Sequence, residues 1–412
     1  MSMSLRALAN EPSQVPAWNQ QHPAPRPYPK VLLYSHDTVG LGNIRRTLLL
    51  AQTLTEQWEN AAILILTGSP MIHAFRIPEG IDYIKLPCVD RLGADEIEPR
   101  FLVACANEVK RTRAAILTRS IMGFAPDLLV VDKRPAGVDG ELVDALRALR
   151  RSGRSTKVVL GIRDILDEPI RTRNALRRTR AFETIARYYD EVWIYGERDV
   201  FDPVAEYGFP SAVAARTHFC GYLERRLAMP LRDGGPPRVL VTPGGGGDGG
   251  AMISAYLEGL VDLPRRVALR STVIFGPQMS AAHRSGILER YGHLADVTFV
   301  DFEADLTPRY AESDLVVSMA GYNTVCELLS NGLPAVLVPR AEPVREQLMR
   351  ARLLAERGWF DVVEPQDLSP SLLMEKVMSA LQRTPRAAPP LGMDGLGRVR
   401  ERACRLLEDA AS

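Results

Sequence analysis

Asp314-Leu315-Val316-Val317-Ser318-Met319-Ala320-Gly321-Tyr322-Asn323-Thr324-Val325-Cys326-Glu327, running on to Gly332-Leu333-Pro334, reads as a buried strand, a glycine-bearing turn and a helix. Leu315–Ser318 is the short apolar run of a strand covered on both faces. Asn323 is placed to cap the helix that follows, and Gly332 sits where a helix C-terminus favours glycine. Gly321 lets the backbone approach a ligand closely. Free amides at the helix start favour an anion there by ~0.3–1 kcal/mol from the dipole alone. A diphosphate is the natural guest. Glu327, one turn further on, is placed to accept hydrogen bonds from a ribose diol, as an acidic residue does in dinucleotide-binding folds.

The same pattern recurs on either side. Val241-Thr242-Pro243-Gly244-Gly245-Gly246-Gly247-Asp248-Gly249-Gly250 also joins a strand to a helix, and its successive amides suit an anion. It lacks the Lys of a phosphate-binding P-loop, so ATP hydrolysis is not indicated. Strands are expected at Arg238–Thr242, Arg270–Phe275, Val297–Val300, Leu315–Ser318 and Ala335–Val338. An earlier series begins at Lys30-Val31-Leu32-Leu33-Tyr34 and continues through Ala62–Leu66, Leu128–Val131, Val158–Ile162 and Glu191–Ile194. Strands alternating with helices imply parallel sheets. The chain therefore divides into a Pro-rich arm (1–29), a first Rossmann-like α/β domain (30–222), a Pro/Gly joint (223–237) and a second Rossmann-like domain (238–384). A connector with a separate amphipathic helix (385–412) closes the chain.

Length and composition agree. A chain of 412 residues exceeds one hydrophobic core, so two domains facing a cleft are expected. Lys and Arg number 51 against 50 Asp and Glu, a balance without the basic footprint of a nucleic-acid binder. Five scattered cysteines form no CxxC pair or Cys/His cluster, so neither zinc nor a disulfide framework is indicated, and most are expected to be buried. No run approaches the ~20 apolar residues of a membrane span, no signal pattern opens the chain, and no strongly apolar docking patch is evident. The expected setting is the cytoplasm, with a soluble acceptor.

The run Val297-Thr298-Phe299-Val300-Asp301-Phe302, then Asp305-Leu306, Tyr310, Ser313-Asp314, Gly321–Glu327, Gly332-Leu333-Pro334, Pro339 and Gln347 resembles the C-terminal domain of the MurG-like peptidoglycan N-acetylglucosaminyltransferases. The resemblance is densest over 238–360 and weaker over 30–60. It implies the GT-B fold and a MurG-related inverting glycosyltransferase rather than the peptidoglycan enzyme itself. It further implies a nucleoside diphosphate sugar, a UDP-sugar first of all, as donor, with no separate cofactor and no metal. By that resemblance Gly244, Gly245, Gly246 and Gly247, with Ala320, Gly321, Tyr322, Asn323 and Thr324, would hold the diphosphate. Glu327 would hold the ribose, Phe302 would lie beside the base, and Gln347 would reach the sugar. Met319 departs from the family, whose loop presents Arg or another polar residue there. Arg340 and Arg345, flanking the loop after Val338, read as solvated side chains, with assistance to a donor carboxylate or phosphate as the alternative.

Tyr34-Ser35-His36-Asp37-Thr38-Val39-Gly40-Leu41-Gly42-Asn43 resembles the first glycine-rich loop of MurG-related chains, which commonly end it in His. Asn43 cannot accept a proton at neutral pH, so a base role does not pass to it. His36, Asp37 and Asp164 are the candidate bases. Gly40, Gly42, Asn43, Lys133 and Arg163 are the expected acceptor or cleft residues, because they follow strand ends. Direct displacement at the anomeric carbon is the expected chemistry. An epimerase or hydrolase on the same fold, and a silent nucleotide-sugar binder, are the competing expectations.

Overall fold

The computed structural model describes residues 28–36, 41–58, 60–91, 97–225, 234–264, 268–383 and 391–411. Asp37, Gly40, nearly all of the expected arm, most of the joint and most of the connector lie outside the described residues.

The first domain holds β1 (Lys30–Ser35), β2 (Ala62–Thr67), β3 (Ile81–Lys85), a small antiparallel pair β4 (Val89–Arg91) and β5 (Ile97–Pro99), then β6 (Leu128–Asp132), β7 (Lys157–Arg163), β8 (Glu191–Tyr195) and β9 (Thr217–Phe219). Seven of these strands form one sheet in the order β3-β2-β1-β6-β7-β8-β9, every neighbouring pair parallel. The second domain holds β10 (Arg238–Thr242), β11 (Arg270–Ile274), β12 (Val297–Val300), β13 (Leu315–Ser318), β14 (Ala335–Leu337) and β15 (Asp361–Val362). They form a parallel sheet in the order β12-β11-β10-β13-β14-β15. Central strands such as Leu128–Asp132 and Leu315–Ser318 are buried along their whole length, because helices cover both faces.

Strand order fixes where ligands go. In the first sheet the order reverses between β1 and β6, and in the second between β10 and β13. The loops diverge at such a point and leave a crevice beyond the strand ends. His36 and Asp132 therefore meet at one reversal. The Gly244 and Gly321 turns meet at the other.

The helix Gly395–Ala411 is not a separate appendage, as the sequence suggests, but completes the first domain. Its Val399, Ala403 and Leu406 join the core that holds Val31, Leu33 and Trp193. Arg398 reaches Glu197 at 3.0 Å, and Arg402 pairs with Glu191. The returning chain pairs Asp394 with Leu223 in an isolated antiparallel bridge. Of the five cysteines only Cys220 and Cys326 are buried, a correction to the expectation for most of them. Phe101, Leu102 and Val103 are consecutive and 68%, 52% and 57% exposed, so the first domain does present a local apolar patch. A soluble acceptor is therefore no longer favoured by the lack of such a patch. Among the described residues no helix is long and apolar enough to cross a membrane.

Leu406→Ala should lower the stability of the first domain by about 2 kcal/mol, since it empties a core position supplied from the far end of the chain. Urea unfolding checks this; an unchanged midpoint would mean that the helix is not part of that core.

Candidate functional site

A cleft of about 440 Å³ lies between the domains, and most of the expected site residues line it. From the first domain come His36, Gly42, Asn43, Lys133 and Arg163, and from the second Gly244–Gly247, Phe302, Gly321–Thr324 and Gln347. Arg45, Arg46, Arg134 and Arg340 join them, so six cationic side chains stand against Asp248, Glu303 and Glu346.

The glycine-rich turn is shaped by contact as much as by freedom. Gly246 has φ +93°, and a Cβ on it would lie 2.3 Å from the carbonyl oxygen of Phe275. Gly276, at φ +86°, packs back so closely that its Cβ would lie 2.5 Å from the oxygen of Gly244. The turns after β10 and β11 thus interlock, and Gln278 N donates to Gly245 O at 2.9 Å. The helix Tyr322–Ser330 begins beside them, capped by Gly321 rather than by Asn323. Asn323 instead donates its amide to the carbonyl of Gly42 across the cleft, at 2.9 Å. Its expected capping role is corrected: the side chain serves the domain interface.

Tyr322 lines the cleft, yet its ring stacks on Tyr222 and lies between the guanidinium groups of Arg46 and Arg350, 5.9 and 5.7 Å from its centre. Ala320 is fully buried in the core, so only its backbone takes part: its carbonyl accepts from Arg350 Nη1 at 2.9 Å. Asp164 is corrected as a candidate base. It is 1% exposed and both oxygens accept from Arg350, at 2.9 and 2.7 Å, which leaves no oxygen facing the cleft. Glu327 also departs from expectation. It lines a small neighbouring recess instead of the main cleft, and its Oε1 accepts from Arg45 at 2.5 Å and Arg225 at 3.2 Å. That oxygen ties the helix to Arg45 of the first domain and to Arg225 of the joint, while Oε2 is buried without a hydrogen-bond partner. Gln347 does line the cleft, with its carbonyl accepting from Arg340 N at 3.3 Å.

At the strand reversal of the first domain His36 is 4% exposed. Its Nδ1 lies 2.9 Å from Asp132 Oδ2, and its Nε2 lies 3.2 Å from the Asn43 amide nitrogen. Burial lowers its pKa to about 4, against the opposing pull of Asp132 and with help from Lys133 and Arg134. His36 is therefore neutral at pH 7. Asp132 is held well below the usual carboxylate range: burial would raise it, but Arg46 and His36 outweigh that. Lys133 takes a left-handed backbone, φ +60°, which turns the chain sharply at the end of β6. Arg163 pairs with Glu346, which also meets Arg340 Nη2 at 3.4 Å. Burial opposes the ionised form of Glu346, yet Arg163, Lys133, Arg350 and Arg340 hold its pKa at about 2.

Sequence reading missed Arg45 and Arg46, and read Arg340 as solvated. A signal was present: a basic pair in the first turn of a helix opposes the helix dipole and calls for carboxylate partners. Among the described residues no group of three or more His, Cys, Asp or Glu side chains is arranged to hold a metal ion.

Residues 239–391 match the glycosyltransferase family 28 C-terminal domain. The UDP-N-acetylglucosamine–N-acetylmuramyl-(pentapeptide) pyrophosphoryl-undecaprenol N-acetylglucosamine transferase of Actinobacillus pleuropneumoniae serotype 5b is 32% identical over 106 residues, 26% of this chain and 30% of that protein. The like-named transferase of Phenylobacterium zucineum is 30% identical over 188 residues, 44% of this chain and 51% of that protein. The chain thus spans at most about half the length of these curated relatives. Among solved structures, Acinetobacter baumannii MurG superposes with a TM-score of 0.55 at 15% identity, covering 92% of this chain and 99% of that one. A structure of LpCGTa in complex with UDP gives 0.59 at 14% identity, covering 92% and 98%. The fold is GT-B, and the second domain is related to that of the MurG-like glycosyltransferases.

Because a buried neutral histidine takes up its proton only on unfolding, the unfolded state binds more protons between its ordinary pKa of 6.5 and the folded value of about 4. Stability should fall as pH drops through that window, by up to about 1.4 kcal/mol per pH unit from this group. Urea unfolding across the window should show a slope shallower by about one proton in His36→Gln; equal slopes would mean that His36 is not held neutral.

Proposed function

We propose that this chain, whose second domain is related to the MurG-like glycosyltransferases, moves a sugar from a nucleoside diphosphate to a nucleophile presented by the first domain. One observation carries the reading: a single cleft brings a neutral, oriented imidazole together with two glycine-bearing turns whose amides suit a diphosphate. The cationic surplus of the cleft adds to that complementarity. A UDP-sugar is the donor that the relatives' names favour.

In this mechanism the acceptor O–H or N–H replaces the Asn43 amide at His36 Nε2. Its lone pair forms the new bond at the anomeric carbon while its proton passes to Nε2. The bond from that carbon to the β-phosphate oxygen breaks, and its electron pair leaves with the nucleoside diphosphate. The Asp132 carboxylate, 2.9 Å from Nδ1, balances the imidazolium that forms, so the proton has a stabilised destination. A base of such low proton affinity gains strength when the donor binds, because the arriving phosphates place negative charge near the ring. The amides after β10 and β13 stabilise charge growing on the leaving group. Displacement from the far side inverts the anomeric centre. The epimerase or hydrolase alternative predicts consumption of a sugar nucleotide without acceptor, and the silent-binder alternative predicts binding without turnover.

Calorimetry with UDP tests the donor site. UDP should bind, and Gly246→Ala should weaken it at least about tenfold, because its Cβ would collide with the Phe275 carbonyl and displace the turn. No binding of UDP, ADP, GDP or dTDP would sink the reading. With an acceptor that turns over, His36→Gln should lower kcat by about 10²–10⁴-fold while leaving UDP affinity near wild type; an unchanged kcat would remove His36 as the base.

A further inference from the structure

Four side chains close a ring behind the Nε2 of His36. His36 Nδ1 faces Asp132 Oδ2 at 2.9 Å, and Asp132 Oδ1 accepts from Arg46 Nη2 at 2.6 Å. Arg46 Nη2 also donates to Asn43 Oδ1 at 3.1 Å, and Asn43 Nδ2 stands 3.2 Å from His36 Nε2. The chemistry of the groups fixes the direction of the three hydrogen-bonded links. A carboxylate only accepts, and a guanidinium only donates. Asp132, 2.9 Å from Nδ1 though outside hydrogen-bond alignment, favours the proton there by its charge, and Arg46 requires the oxygen of Asn43. The amide nitrogen is left for Nε2, where it meets a lone pair. An imidazolium would turn an N–H against that NH₂ group, and flipping the amide to relieve this would set NH₂ against Arg46 instead.

We propose that Asn43 is a positioning residue that holds the His36 Nε2 lone pair open, opposing protonation of the ring until an acceptor displaces the amide. The proposal rests on the reading of His36 as general base, but its physical content is independent of any substrate. The groups facing the ring are Asp132, Lys133 and Arg134 from the end of β6, and Arg46 and Asn43 from the first turn of the helix Gly42–Gln57. Asp132 favours protonation, while Lys133 and Arg134 oppose it. At Asn43 a nearly isosteric change reverses the sign of the effect without touching the Asp132 carboxylate. In Asn43→Asp an oxygen replaces the amide nitrogen, and the ring then lies between two carboxylates.

Nitrogen NMR of the histidine side chains in the full chain, with His36→Gln for assignment, reads the effect directly. The wild type should show His36 neutral and protonated on Nδ1 at about pH 5.5. In Asn43→Asp the titration midpoint should rise by at least about one pH unit, a tenfold gain in proton affinity. Asn43→Ala should move it up by less, and it serves in place of the aspartate variant if that variant fails to fold. A wild-type ring protonated on Nε2, or a midpoint that neither substitution moves, overturns the proposal. UDP calorimetry on the same proteins keeps the two readings apart. Retained UDP binding with an unmoved midpoint defeats the role of Asn43 alone, whereas a shifted midpoint without UDP binding defeats the donor site and leaves the role of Asn43 in the ring intact.

Discussion

Arg350 reaches from the second domain to Asp164 of the first, and both side chains are withdrawn from water, 0% and 1% exposed. Burial alone would lower the proton affinity of the guanidinium, but the facing carboxylate reverses that. Neither charge tolerates the loss of the other; leaving one unpaired in such a site costs about 3–5 kcal/mol. The third contact of Arg350, to the carbonyl of Ala320, ties the turn before the helix Tyr322–Ser330 to this pair. The backbone of that turn is thereby tied, through Arg350, to a carboxylate of the opposite domain. Packing extends the dependence: Tyr322, a second-domain residue, belongs to the core of the first.

Electrostatics at the start of the helix Gly42–Gln57 reinforce the same geometry. Arg45 and Arg46 sit in its first turn, at the positive end of the dipole, where cations are disfavoured. Each is offset by a buried carboxylate, and the two choose different directions. Arg46 turns inward to Asp132, next to the imidazole, while Arg45 crosses to Glu327. One helix turn thus both anchors the carboxylate beside the His36 imidazole and clasps the domains. Glu346 acts similarly from the other side by holding Arg163 of the first domain.

The sheets and turns were legible because burial on both faces demands continuous apolar runs, and because glycine marks turns that approach another backbone. The Gly244 and Gly321 turns fell beside each other as the strand-to-helix pattern implied, since both end strands at the same reversal of order. The pairing of charges was not legible. Asp164 follows a strand end as a functional carboxylate does, but its partner lies 186 residues away and only the folded chain reveals it. The cations beside Glu327 were hidden for the same reason: spacing within a helix says that a carboxylate faces the cleft side, not which cation will claim it. Asn323 has the chemistry of a cap, yet two residues of offset from Gly321 gave it to the interface instead.

The polypeptide passes between the two domains twice, and the passages lie side by side, with Tyr222 N donating to Gly392 O and Gly395 N to Tyr222 O at 2.9 and 3.0 Å. Two adjacent tethers behave differently from one. A single thread would permit twisting and sliding, whereas a pair laced by backbone bonds leaves mainly rotation about the line they define. Whatever opening admits a ligand is then a swing about that seam, with atoms farthest from it travelling the greatest distance.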